Sequence, residues 1–138
     1  MNEYFYNEIS LGQQESFSVV VTPLMMDGFM SITGDSNPLH QYSEYARSSG
    51  FYDRVVYGML TASFLSTLAG MYLPGEHSLI KEVNFKLPAP VYVDDELLIV
   101  GEVVEKNDTF NLIDVKVTIT NQDNRKVLRG NMQIVVSK

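Results

Sequence analysis

Two side chains suited to acid–base chemistry lie five positions apart in the segment ITGDSNPLHQYSEYA, residues 32–46. Asp35 supplies a carboxylate and His40 an imidazole, the two groups that most often transfer protons in enzymes. Between them, Pro38 disfavours the α region for Asn37, and asparagine side chains bond to nearby backbone, so a turn is expected. Such a turn could let the carboxylate and the imidazole face one small molecule.

A purely structural interpretation of this segment is also open. Asp35 could cap a short helix that starts near Pro38, and His40 could be a buried histidine with satisfied hydrogen bonds. Gly34, just before the acid, permits a backbone angle that a side chain would disfavour. Turn residues and single histidines are common, so the spacing alone does not establish catalysis.

The elements that position this segment are predicted from hydrophobic periodicity. The segment FNLIDVKVTITN alternates strictly between apolar and polar residues, as a half-buried antiparallel strand does. With KVLRGNMQIVV it forms a predicted hairpin, because the NQDNRK between them is rich in turn formers. Three further strands are predicted at ESFSVVVT, VNFKL and ELLIVGEVVEK, which makes about five.

The segment GMLTASFLSTLAGMYLPG, residues 58–75, differs from these strands because its apolar residues occur almost all round a helical wheel. It predicts a helix that is buried on nearly every side and ends at Pro74 and Gly75. At about 22 Å it is too short to span a membrane. An antiparallel sheet of about five strands curled around it gives an α+β hot-dog architecture, preceded by a helix at PLMMDGFMSIT. Layer rules also permit a helix lying flat on an open sheet.

Composition narrows the function classes. The 138 residues predict one domain, residues 1–138, and the net charge of -7 argues against nonspecific nucleic-acid binding. Zero cysteines exclude disulfides, thiolate metal sites and a cysteine nucleophile. No His, Asp and Glu group has convincing metal spacing, and no apolar run is long enough for a membrane span. We therefore expect no metal, no membrane partner and a cytoplasmic location.

The stretches FMSITGDSNPLHQYSEYA and FYDRVVYGMLTASFLSTLAGMYLPG together resemble the (R)-specific enoyl-thioester hydratases, the MaoC-like branch of the hot-dog superfamily. The family core Gly-Asp-x-Asn-Pro-Leu-His is complete at residues 34–40, and the small residue expected six positions after the histidine is Ala46. The similarity runs through KEVNFKLPAPVYVDDELLIVGEVVEK to TNQD. Many relatives carry histidine where this chain has Tyr57, a change expected to affect pocket polarity more than chemistry.

This resemblance implies reversible addition of water to a trans-2-enoyl thioester, giving the (R)-3-hydroxyacyl thioester without a cofactor. The carrier would be coenzyme A or an acyl carrier protein. Asp35 and His40 would be catalytic, and the backbone N–H of Gly58 would bind the thioester oxygen. The residues implied to support the site or bind substrate are Asn37, Ser66, Tyr57 and Met59. Ser66, Tyr57 and Met59 could instead be ordinary packing residues of the helix. Gly58 could be a glycine that only starts the helix or allows close packing.

Two other functions remain open on the same fold: an acyl thioesterase and a catalytically silent thioester-binding module. The intact Asp35 and His40 pair favours the hydratase, since a binder needs neither. The resemblance also implies a homodimer whose sheets join edge to edge. An anionic carrier requires local positive charge, so at least one of four basic residues is expected at the tunnel mouth: Arg47, Arg54, Lys81 and Lys86.

Overall fold

A five-stranded antiparallel sheet forms the body of the computed structural model, which describes residues 1–137. The strands are β1 Gln14–Val20, β2 Ser78–Lys86, β3 Glu96–Asn107, β4 Leu112–Thr120 and β5 Lys126–Val136, in the spatial order β1-β3-β4-β5-β2. All five predicted strands and the predicted β4–β5 hairpin are confirmed. Strands β1 and β2 are the two edges of the sheet.

Four α-helices lie in the chain between β1 and β2. They are α1 Pro23–Thr33, α2 Pro38–Gln41, α3 Ser43–Ser48 and α4 Gly58–Thr67, and a π-helical turn, Leu68–Tyr72, continues α4. The predicted helices α1 and α4 are confirmed. Helix α3 was not predicted, because a helix of 6 residues is too short for an apolar period to repeat. No helix within residues 1–137 has the length and apolarity needed to cross a membrane.

Helix α1 begins and ends at residues that favour those positions. The Thr22 hydroxyl accepts a hydrogen bond from the N–H of Met25 at 3.2 Å, and Pro23 takes the first helical position. Gly34 ends the helix in the left-handed region, at φ 74°, and its N–H donates to the carbonyl of Met30. The glycine expected to allow an unusual backbone angle therefore reverses the chain directly before Asp35.

The core lies between α4 and the concave face of the sheet. One face of β4 is fully buried through Ile113, Val115, Val117 and Ile119, as the alternation predicts. Leu68 reaches from the π-helical turn to β3, where a Cβ at Gly101 would lie 2.9 Å from its side chain. Glycine at this position therefore allows the helix and the sheet to approach closely.

The expectation that α4 is buried on nearly every side is wrong. Met59 is 60% exposed, and Ser63 and Ser66 are exposed on the same helix. The sheet covers only part of the helix because it ends at the edge strand β2, so the face formed by these three residues is open. A second difference is the length of β2, which starts before the predicted VNFKL segment because a bulge between Ile80 and Glu82 interrupts its alternation.

Candidate active site

The loop between α1 and α2 forms the expected turn, and side chains fix its shape. The Asp35 carboxylate accepts a hydrogen bond from the N–H of Asn37 at 3.1 Å, and the Asn37 side chain accepts one from the N–H of Leu39 at 3.0 Å. Asn37, not Asp35, therefore caps α2, which corrects the structural interpretation of the segment. Asp35 remains exposed beyond this turn.

The imidazole of His40 is oriented by a hydrogen bond to the backbone. Its Nδ1 lies 2.6 Å from the carbonyl oxygen of Val55. Because a carbonyl oxygen can only accept, Nδ1 must carry the proton, and in the neutral ring Nε2 is then a free acceptor. The hydrogen bond to Val55 therefore leaves Nε2 as the ring nitrogen that can accept a proton.

Tyr57 connects the two candidate catalytic residues. Its hydroxyl donates to the backbone carbonyl of Asp35 at 2.5 Å and accepts a hydrogen bond from the Gln41 side chain at 2.7 Å. Its ring stacks on His40 with centroids 4.1 Å apart and contacts Phe29 on another side. The side chain is only 2% exposed, and these contacts hold the turn and the imidazole in place.

A large apolar cavity of about 660 Å³ contains Asp35 and two of the predicted supporting residues, Met59 and Ser66. Its other walls come from α1, α4 and β2, namely Phe29, Thr33, Ala62, Ser63, Leu65, Ile80, Val83 and Phe85. The cavity has the size and apolar lining of a site for a small apolar ligand. We call it the Asp35 cavity.

A second cavity of about 320 Å³ contains His40 and Gly58. Its other walls are Phe51, Val55, Val56, Thr61, Leu87, Pro88, Ala89, Pro90, Val91 and Val127. We call it the His40 cavity. From the sequence we expected Asp35 and His40 to face one cavity, but in the structure they line two different cavities. They border neighbouring cavities that meet at the first turn of α4, where Met59 lines one cavity and Gly58 the other.

Gly58 is the first residue of α4, so its N–H is among those that a helix leaves without an intrahelical acceptor. A Cβ at this position would lie 2.6 Å from the Leu87 side chain. Close packing against Leu87 is therefore one reason for glycine here. The missing side chain also leaves the Gly58 backbone on the wall of the His40 cavity.

Thr61 is a site residue that was not predicted from the sequence. It borders the His40 cavity, is 1% exposed, and its hydroxyl has no hydrogen-bond partner among residues 1–137. A buried hydroxyl without a partner costs free energy, so it marks a place where a ligand group or water can bind. Its spacing of three residues from Gly58 puts both on one helix face, which the sequence could have indicated.

The charges beside the site are partly paired. The pKa of the Asp53 carboxyl lies below its ordinary value because the Ser43 side chain and the N–H of Arg54 donate hydrogen bonds to it, with a smaller contribution from Arg47. Arg47 lies 3.2 Å from Asp53, so its charge serves to join α3 to the loop that follows. Within residues 1–137 no three His, Asp or Glu side chains cluster as metal ligands.

The sheet wrapped around α4 is the hot-dog fold, and comparisons with known proteins identify the branch. The family model described as a MaoC-like domain matches residues 7–125. The chain belongs to this family.

Curated relatives and solved structures agree with this assignment. The (R)-specific enoyl-CoA hydratase of Rhodospirillum rubrum is 30% identical over 67% of this chain, and the 3-hydroxybutyryl-CoA dehydratase of Methylorubrum extorquens is 29% identical over 73%. The match spans 64% of the length of each of these relatives. The unliganded R-hydratase PhaJ1 of Pseudomonas aeruginosa superposes with a TM-score of 0.92 at 26% identity, covering 97% of this chain and 86% of that one.

Replacing Tyr57 by phenylalanine should destabilise the protein. The ring would still stack on His40, but the Asp35 carbonyl and the Gln41 amide would lose their partner, at a cost of about 1–2 kcal/mol. Urea unfolding measures the change. Tyr52→Phe is the matched control, because this side chain is 81% exposed and should tolerate the loss of its hydroxyl. Equal stabilities for the two variants would show that the Tyr57 hydrogen bonds contribute nothing.

Proposed function

We propose that this protein is an (R)-specific hydratase/dehydratase that adds water reversibly to trans-2-enoyl thioesters. The observation that carries this proposal is the orientation of His40, whose Nδ1 donates to Val55 and leaves Nε2 free as a base in a cavity that also contains Gly58. The names of the relatives support the same reaction class. The carrier is coenzyme A or an acyl carrier protein, since relatives of both kinds match.

In the proposed mechanism, Asp35 and His40 act as a pair on one water at the junction of their two cavities. The pair takes a proton from the water as its oxygen bonds to C3 of the acyl chain, and the pair then gives a proton to C2. Negative charge develops on the thioester oxygen while C3 is attacked and before C2 is protonated, and the N–H of Gly58 stabilises it. The apolar Asp35 cavity holds the acyl chain, with Met59 and Ser66 on its wall.

Thr61 supplies a second hydrogen-bond donor for the thioester in this scheme. Its hydroxyl and the N–H of Gly58 are one helical turn apart and border the same cavity. The absence of a protein partner for this hydroxyl is then explained, because the substrate oxygen completes its hydrogen bonding.

The reaction class is tested with a short trans-2-enoyl-CoA. A hydratase consumes the conjugated double bond, a thioesterase releases free thiol, and a binding module does neither. Release of thiol without loss of the double bond would overturn the proposal in favour of the thioesterase. The cytoplasmic location expected from the sequence stays a prediction.

The variants Asp35→Asn and His40→Gln should each lower kcat at least about 100-fold, the usual scale for loss of acid–base catalysis. Both should keep their fold, which circular dichroism and thermal unfolding can check. Asp27→Asn, on the exposed side of α1, and His77→Gln serve as matched controls outside the site. Near-normal turnover in either folded site variant would contradict the assignment. Unfolding of both variants would indicate that Asp35 and His40 serve the fold and not catalysis.

The variant Thr61→Val should lower kcat/KM about tenfold while the stability stays equal or rises. Valine has nearly the same shape and removes a buried hydroxyl that lacks a partner, so the folded protein loses no hydrogen bond. The substrate, however, loses a donor of the kind that acts on developing charge. Thr67→Val, on the same helix but outside both cavities, is the control. A stability loss with unchanged kinetics would show that Thr61 acts only in packing.

We propose that the protein forms a homodimer through the edge strand β2. Leu79 and Val83 on this strand are 54% and 38% exposed, and Met59, which lines the same cavity as Val83, is 60% exposed. An unpaired strand edge with exposed apolar side chains favours association with a second strand. A partner on this edge would also cover the Asp35 cavity, to which Ile80, Val83 and Phe85 contribute.

The double variant Leu79→Lys/Val83→Lys should sediment as a monomer near 15.6 kDa, and the assembly alone is the readout because Val83 also lines the Asp35 cavity. Val104→Lys, at an exposed valine of β3, is the control and should leave the assembly unchanged. If the unaltered protein is a fully active monomer, the dimer proposal fails.

A further inference from the structure

Four of the ten basic residues line one groove on the outer face of the sheet. They are Lys86 of β2, Lys116 of β4, and Lys126 and Arg129 of β5, and we call this surface the basic groove. Its volume is about 510 Å³. The remaining walls are Asn84, Phe85, Val117, Thr118, Gly130 and Asn131. Of the four basic residues singled out in the sequence, only Lys86 belongs to it.

The strand register brings these cations together. Arg129 is paired in register with Lys86 on one side and with Thr118 on the other. Lys116 lies two residues from Thr118 along β4, opposite Asn131. Neighbouring strands lie about 4.8 Å apart and alternate residues about 7 Å apart, so the charged groups converge on one small area. A Cβ at Gly130 would collide with the backbone of β2, so glycine allows these strands to close on each other here.

None of the four cations forms an ion pair within residues 1–137, where the pair between Arg47 and Asp53 is the sole ion pair. Three acids lie near them in the register: Glu102 opposite Lys116, Asp114 two residues from Lys116 along β4, and Glu82, whose carboxylate binds the Asn84 side chain. Four cations in one groove repel one another, and a bound anion would relieve that repulsion. In a protein of net charge -7, such a local concentration indicates an anion site.

The basic groove lies on the outer face of the sheet, at the same end as residues that line the two cavities. Phe85 borders the groove and also the Asp35 cavity. Lys86 and Lys126 are each followed in the chain by a residue that lines the His40 cavity, Leu87 and Val127 respectively. A ligand bound in the groove would therefore begin at the end of the sheet where the reacting groups lie.

We propose that the basic groove binds the phosphate groups of coenzyme A, the carrier of the acyl substrate. The part of this proposal that concerns the thioester rests on the proposed function, whereas the phosphate site does not. A concave groove of this size fits a compact polyanion with several phosphates, and the amides of Asn84 and Asn131 and the hydroxyl of Thr118 add hydrogen-bond partners. An acyl carrier protein presents its acidic side chains on the surface of a folded domain, which is too large to enter a groove of about 510 Å³.

The site is tested first without any acyl group, by calorimetric titration with adenosine 3′,5′-bisphosphate. The double variant Lys86→Gln/Arg129→Gln should bind it at least about tenfold more weakly, because each lost contact is a charge-assisted hydrogen bond. Affinity of the unaltered protein should fall as salt is added, since exposed charges are screened. Arg125→Gln removes the same charge beside the groove without lining it, and should bind as the unaltered protein does. No binding, or equal weakening by the control, would overturn the proposal.

The second test compares two substrates that differ only in the carrier: crotonyl-CoA and crotonyl-N-acetylcysteamine, which lacks phosphates. In the double variant the ratio of their kcat/KM values should fall about tenfold, through a higher KM for the coenzyme A thioester, because uniform binding is lost. An unchanged ratio would overturn the proposal. So would a loss confined to crotonyl-acyl carrier protein, which would assign the groove to a protein carrier.

Failure of the two proposals can be told apart. A protein that hydrates neither thioester, but binds the bisphosphate with the predicted dependence on Lys86 and Arg129, would overturn the hydratase and support the phosphate site. If the protein hydrates both thioesters, but substitution of Lys86 and Arg129 leaves its affinity for the bisphosphate unchanged, the hydratase is supported and the phosphate site is overturned.

Discussion

Burial of α4 against the curled sheet is the constraint on which the rest of the structure depends. The apolar side of the helix packs on the buried faces of β3, β4 and β5, and burial of this area supplies most of the drive for folding. Glycine at position 101 lets Leu68 approach the sheet closely, which fixes the depth of the helix. Once α4 is held there, the two cavities meet at its first turn, and both the Asp35 loop and the strand β2 must be arranged around it.

Tyr57 supports both candidate catalytic residues with a single side chain. It precedes α4, stacks on His40 and binds the backbone of Asp35, so the position of the helix is transmitted to both candidate catalytic residues. Gln41, which donates to the same hydroxyl, completes this support.

The fold and the candidate catalytic segment could be predicted because their signals are local. Alternation in β4, the apolar helix ending at Pro74 and the turn at Asn37 each depend on neighbours within a few residues. The open face of α4, the hydroxyl of Thr61 without a partner and the basic groove depend on which distant strands lie side by side. Lys86 and Arg129 are 43 positions apart and become neighbours only through the β2–β5 register, which no local pattern specifies.

Strand β2 has a part in each functional feature of the molecule. Ile80, Val83 and Phe85 face the Asp35 cavity, Lys86 lies in the basic groove, and Leu79 is exposed on the unpaired edge. The bulge at Ile80 resets the alternation, so that the residues after it point correctly into the cavity. If a second copy pairs with this edge, it must lie next to both the Asp35 cavity and the basic groove. Assembly and substrate binding would then depend on the same strand, so a substitution in β2 that changes one is expected to change the other.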